Sequence, residues 1–346
     1  MLRFLESFDH STSPTRKWTT NNPAGGDSGF AYGIAVGRFG TNGGRHGNDS
    51  QQGLRKTLTA EDTWIMGCAF RRFTAGDTDI IFFLQDAGST QIDLRVTTAN
   101  RLAIVRGSST TLETGTTEIV VGRWYFIELR VVIHNSAGEY EVRLDGLTEL
   151  SDTGVDTQAT GNASADQIGI GEYAAFNGTT SDFDDLYVFD GTDSGVAGAP
   201  NNDFIGDVRV QCRLPDGNGN TSNLVGSDGN STDNYLLVDE ASPDDDTTYV
   251  ESSTPGDKDT YEYQDLSAAS GTVYGVQILP LARKTDAGTR SIAAIARLGT
   301  TEVDSGDFAL NSSYEYAVNP RDANPDGDQW TIADVNSAEF GVKVTA

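Results

Sequence analysis

Two cysteines, two methionines and three histidines in 346 residues leave few side chains for metal or redox chemistry. Two thiols can build neither a disulfide framework nor, alone, a structural zinc site, so no cofactor is expected. Bases are scarce as well. Against 51 Asp and Glu stand only 24 Lys and Arg, a net charge of −27. A nucleic-acid partner asks for a basic face, and none is expected. No apolar run approaches the ~18 residues of a membrane span, so no membrane insertion is expected either. Residues 1–9 hold one Arg and then loose alternation, unlike a secretory signal. The chain is therefore expected to be made and folded in a cytoplasm. Heptads, collagen triplets and repeats of roughly 20–50 residues are all missing. So are a Gly-x-Ser-x-Gly elbow and a Gly-Lys-Ser/Thr phosphate loop.

What is present is period-two alternation. Ile92, Leu94 and Val96 share one face, and Tyr140, Val142 and Leu144 share another. Denser apolar runs at 78–84 and 124–133 suit strands covered on both sides. Asn-Gly, Asp-Gly and Ala-Gly turn signals separate them. One short helix is expected within 330–339, with Thr331 as N-cap and Asp334 three residues on. The fold class that follows is all-β, in antiparallel sandwiches or jelly rolls. A small, polar, Gly- and Pro-rich stretch breaks the chain near 191–207. It sets a first domain at 1–195, a linker at 196–202 and a second domain at 203–346. Residues 1–200 carry a net −11 and residues 201–346 a net −16. Cys68 and Cys212 both read as small buried strand positions.

Candidate chemistry is sparse. Glycoside cleavage needs two carboxylates about 5–10 Å apart. Glu139 with Glu141, and Asp182 with Asp184, come nearest, each a lone alternate pair. His10, His46 and His134 are far apart and read as ordinary hydrogen-bonding residues. Asp322, Asn324, Asp326 and Asp328 match the first half of a calcium loop, with Gly327 for the turn. Ala333 stands where a bidentate Glu is needed, so a plain Asx-type turn is the expectation and no metal is assigned. Sugar stacking would use loop aromatics: Tyr173 and Phe176 first, then Trp18 and Tyr32. Trp124 and Tyr125 read as core and sheet packing.

Three segments carry a resemblance. They are Trp-Tyr-Phe-Ile-Glu-Leu at 124–129, Val-Arg-Leu-Asp-Gly at 142–146, and Asp-Asp-Leu-Tyr-Val at 184–188. Their order resembles the concanavalin A-like, laminin-G-like jelly roll. In that fold the first and last strands pair, which implies that 3–8 lies beside 186–189. The fold class is thus an N-terminal concanavalin A-like jelly roll followed by a second antiparallel β-sandwich domain. The motifs at 3–10, 17–19, 184–190 and 202–210 also resemble a group of tailed-bacteriophage virion proteins.

That resemblance implies a non-enzymatic virion structural protein, such as a capsid decoration or a neck- or tail-attached fibre subunit. It would be made in the host cytoplasm and located in the virion. Its partners would be other virion proteins and further copies of itself, with the less acidic first domain nearer the particle. The alternative is a carbohydrate-binding adhesin for host surface glycans, contacting them through Tyr173 and Phe176. A polysaccharide-degrading enzyme is the third reading.

Overall fold

Alternation dictates extended chain, and register then decides which side chains share a face. The computed structural model describes residues 1–10, 13–19, 30–47, 53–171 and 179–346. Contacts divide the chain into two units. The first comprises Met1, Arg3–Asp193 and Asn201–Val210; the second comprises Leu2, Ser194–Pro200 and Gln211–Ala346.

The first unit contains β1 (Leu2–Glu6) apart from Leu2, β2 (Phe30–Ile34), β3 (Gly43–His46), β4 (Gly53–Glu61), β5 (Thr63–Arg72), β6 (Asp79–Asp86) and β7 (Ser89–Val96). It continues with β8 (Arg101–Arg106), β9 (Thr110–Glu118), β10 (Trp124–Val132), β11 (Gly138–Leu144), β12 (Leu147–Val155), β13 (Ala165–Gly171) and β14 (Ser181–Asp190). These form two antiparallel sheets. One runs β12-β11-β10-β5-β14-β3-β2, with β1 also on β14; the other runs β4-β13-β6-β7-β8-β9. The first and last strands thus pair, closing the sheet across the whole unit.

Matched registers build the core. Tyr125, Ile127, Leu129 and Val131 of β10 stand opposite Phe70, Cys68, Met66 and Trp64 of β5. All eight are buried. On the second sheet Phe82 and Leu84 pair with Leu94 and Ile92, and with Ile170 and Ile168. Burying each such side chain contributes roughly 1.5–3 kcal/mol. Gly67 of β5 makes room for a ring. A Cβ there would come within 2.3 Å of Tyr187 Cε1.

Beneath β1 lies a buried polar cluster. Glu6 accepts hydrogen bonds from Phe8 N (2.8 Å), Trp18 Nε1 (3.0 Å) and the Tyr32 hydroxyl (2.7 Å). It also pairs with Lys17 Nζ at 3.2 Å.

In the second unit a sheet is ordered Pro215–Ser222, Lys258–Tyr263, Glu339–Val344, Ser291–Leu298, Thr301–Asp304, and Phe308–Ala309 joins it on Ser291–Leu298. Three two-stranded ladders accompany it. Its core gathers Ile278, Ala294, Ala296, Trp330, Ala338 and Phe340. The helix Ile332–Ser337 forms where expected, and Thr331 and Asp334 close a reciprocal capping box. The protein is therefore all-β, an N-terminal jelly roll followed by a second antiparallel β domain.

Two local expectations change. Residues 208–214 form no strand and Cys212 is only half-buried, whereas Cys68 is fully buried in β5. The physical reason lies in side chains that take the place of a ladder. Val210 N donates to Asp185 Oδ1 at 2.8 Å, and Arg38 Nη2 donates to the Val208 carbonyl at 3.2 Å.

Candidate functional site

The face of β10 turned away from the core carries Trp124, Phe126 and Glu128. Residues 203–210 lie along this face. Gly206 N donates to Glu128 Oε1 at 2.8 Å, and the Tyr187 hydroxyl donates to the same oxygen at 2.6 Å. Arg143 stacks on the Phe204 ring at 4.3 Å. The loop between β2 and β3 contributes Arg38, whose Nη2 donates to Asp207 Oδ1 at 2.6 Å and whose Nε donates to Asp185 Oδ2 at 3.1 Å. Arg38, Phe39, Trp124, Asp207, Val208 and Arg209 then enclose an open concavity of about 490 Å³.

This concavity alternates rings and guanidinium groups. Arg38 and Arg209 each lie 4.8 Å from the Phe39 centroid. Arg38 also lies 5.4 Å from the Phe126 ring, and Arg71 lies 4.6 Å from the Trp124 ring. The pattern continues across the sheet. Arg71 and Arg45 each stand 5.0 Å from the Phe73 ring. Both also pair with the buried carboxylate of Asp182, at 2.6 Å each. Register explains the alignment, because Asp182 pairs with Arg45 on one side and Arg71 on the other, and Arg71 pairs with Trp124.

A bulge in β14 sets two acids against the Arg38 loop. Register shifts between Asp184 and Tyr187, and Asp185 takes a left-handed φ of 54°. Burial, then the neighbouring Asp185 charge, push the Asp184 carboxyl up to about 8. Burial raises Asp185 less, to about 6, because Val210 N–H, Arg38 and Arg209 oppose it. Asp184 Oδ2 accepts from Arg38 N at 2.8 Å. These carboxyls hold the Arg38 loop and residues 207–210 in place. They are themselves buried.

The aromatics singled out in the sequence fare differently. Tyr173 and Phe176 lie outside the described residues. Trp18 and Tyr32 are buried on the Glu6 cluster, so they are not sugar platforms. Tyr125 is core, but Trp124 is only partly buried and lines the concavity. Its parity explains the difference, since alternate residues of β10 face opposite ways. Phe39 and Phe73 were missed. A lone aromatic between polar neighbours carries no periodic signal, and only the fold sets it beside arginines.

The titratable candidates stay apart. His10 is buried near Glu6, with Nδ1 3.7 Å from Oε1. His46 Nε2 lies 2.7 Å from Asp79 Oδ1, both fully buried. His134 precedes the turn 135–137 and its Nδ1 accepts from Ser136 N and Ala137 N. Glu141 accepts from Arg143 and Thr148, and Glu139 faces Arg130. In the loop holding Asp322, Asn324, Asp326 and Asp328, Asn324 Oδ1 accepts from Asp326 N and Asp328 N, both at 3.0 Å. Among the described residues no group of three or more His, Cys, Asp or Glu is placed to hold a metal ion.

No family model and no curated protein matches the sequence. Solved structures do resemble it at low identity. A Trypanosoma rangeli sialidase in complex with the inhibitor DANA aligns at TM-score 0.35 and 12% identity, over 47% of this chain and 29% of that one. The alginate lyase AlgAT5, of polysaccharide lyase family 7, aligns at TM-score 0.32 and 12% identity, over 47% of this chain and 82% of that one. The carbohydrate-binding module CBM66 of Bacillus subtilis aligns at TM-score 0.33 and 10% identity, over 46% of this chain and 95% of that one. The chain thus spans less than a third of the sialidase. These comparisons correct two expectations. The non-enzymatic virion structural role is not what they support: these neighbours are a sialidase, an alginate lyase and a carbohydrate-binding module. Nor do they back the expectation of a chain without enzymatic activity, two of these three being named as enzymes. What the structure shares with them is a jelly-roll β-sandwich.

Proposed function

We propose that the first unit is a glycan-binding domain and that its site is the concavity between Trp124, Phe39 and residues 207–209. One observation carries the reading. An open space of about 490 Å³ combines two accessible aromatic rings with Arg38, Arg209 and Asp207. Ligand sites are concave, with apolar walls and a few convergent polar groups. A pyranose presents C–H groups to a ring and hydroxyls to charged side chains around it, and this lining supplies both. Arginine and carboxylate side chains can bind neighbouring hydroxyls through two hydrogen bonds at once. Phe39, 56% exposed, is held in place by two guanidinium groups rather than by core packing.

A glycan array with the full chain tests the proposal. Wild type binds a defined set of glycans, and Trp124→Ala and Phe39→Ala each weaken that binding about tenfold or more, equivalent to ~1.4 kcal/mol. Incubating the bound glycans with protein and assaying for new chain ends separates binding from turnover. Unchanged binding by both variants, with the fold intact by circular dichroism, refutes the site.

A further inference from the structure

We propose that this site takes an acidic oligosaccharide, its carboxylate or sulfate groups lying along the arginine–aromatic row from Phe39 to Phe73; the inference rests on the glycan-binding reading above. The chain carries −27 overall, yet this row gathers arginines. Arg38, Arg45, Arg71 and Arg209 contribute four positive charges. Facing them are the carboxyls of Asp182, Asp184, Asp185 and Asp207. The arginines thus match the carboxyls one for one, where the chain as a whole has about two acids per base.

Exposure points the same way. Among the described residues the exposed large hydrophobics include two aromatics, Phe39 and Phe73. Each of them has two guanidinium groups over its ring. Arg71 joins the two ends, touching both the Phe73 and the Trp124 rings, and Trp124 lines the same concavity as Phe39. Arg45 and Arg71 share a single carboxylate, so the pair carries charge beyond what Asp182 neutralises. Arg209 is exposed at the rim. A guanidinium presents a planar fork that matches carboxylate or sulfate oxygens, and it stays charged at any physiological pH. Stacking on an aromatic ring restrains it, and Arg45 and Arg71 are fixed further by donating Nε and Nη2 to Asp182. A neutral sugar would need no such row.

The test is isothermal titration of the full chain with matched oligosaccharides. Free-acid oligogalacturonate is compared with its methyl ester, and a sulfated oligosaccharide with its desulfated form. Two outcomes together support the proposal. One acidic member binds at least about tenfold tighter than its neutral partner. Arg71→Gln and Arg209→Gln then bring that ratio close to one while the neutral form still binds. Which pair shows the preference tells carboxylate from sulfate recognition. Equal binding of acidic and neutral forms overturns the acidic class and leaves glycan binding standing. If no glycan of any charge binds on the array, both readings fail.

Discussion

Replacing Glu6 by Gln tests the buried cluster that anchors β1. The substitution keeps shape and removes one charge. Glu6 and Lys17 are almost wholly buried, and Lys17 Nζ also donates to the Leu5 carbonyl at 2.7 Å. With the carboxylate gone, an ammonium remains buried without its counter-charge. Breaking a buried pair from one side costs about 3–5 kcal/mol. Gln also cannot accept at both ends, so one donor among Phe8 N, Trp18 Nε1 and Tyr32 loses its partner, at ~1–3 kcal/mol for a buried group. The expected loss is thus at least about 3 kcal/mol, or roughly 6–20 °C in the Tm of a unit this size. The double variant Glu6→Gln/Lys17→Met removes both charges and is expected to be more stable than Glu6→Gln alone.

Acid adds a second signature. Burial, and then Lys17, push His10 from 6.5 down to about 4. Between those pH values the unfolded chain binds a proton that the folded chain refuses. Stability is therefore full above pH 6.5 and falls as pH drops to 4, by about 3 kcal/mol in all. Glu6 acts in the same direction. Burial alone would raise its carboxyl, but Lys17, His10, Tyr32 and Phe8 outweigh it and hold it below its ordinary value. Urea unfolding at pH 7 and pH 5, followed by tryptophan fluorescence, measures the Glu6→Gln loss and the His10 effect, whereas the Glu6 titration acts only below its ordinary 4.5. A Glu6→Gln loss under 1 kcal/mol at pH 7, or a double variant no better than the single, refutes the account.

Trp64→Ala and Trp124→Ala should separate sharply. Trp64 is fully buried and its loss should cost about 3–5 kcal/mol, whereas Trp124 gives up mainly a partial packing and one cation–π contact of ~1 kcal/mol; thermal melts compare them. Tyr187→Phe removes one of two donors from the fully buried Glu128 carboxylate, a loss of about 1.5–3 kcal/mol. Faster amide exchange at Gly206, measured by NMR, should accompany it, and unchanged exchange would count against residues 203–210 being held there. Calcium or EDTA should leave the Tm unchanged, because Asn324 Oδ1 already accepts two backbone donors and Asp334 caps the helix.

The strand system was legible in the sequence because it is local. Alternation in 91–96, 124–133 and 139–145 marks strands whatever surrounds them, and Thr331 with Asp334 marks a helix start within four residues. The pairing of β1 with β14 came from the resemblance, since no local pattern reports a partner nearly 190 residues away. Parity was harder. Trp124 opens an apolar run and reads as core, yet it occupies the outward phase of β10, and only the register against Arg71 reveals this. The candidate site was not legible at all. Arg38 and Phe39, Arg71 and Phe73, Trp124, and Asp207 with Arg209 come from four separate stretches, none with a motif. Residues 208–214 look like a strand because Val and Leu alternate there, but a ladder needs a neighbouring strand, and the fold offers Asp185 and Arg38 instead. Composition and periodicity are properties of the chain, so the sequence alone determined the acidic, all-β character of this protein. A concavity is a relation between distant segments, and only tertiary structure decided which rings and charges share it.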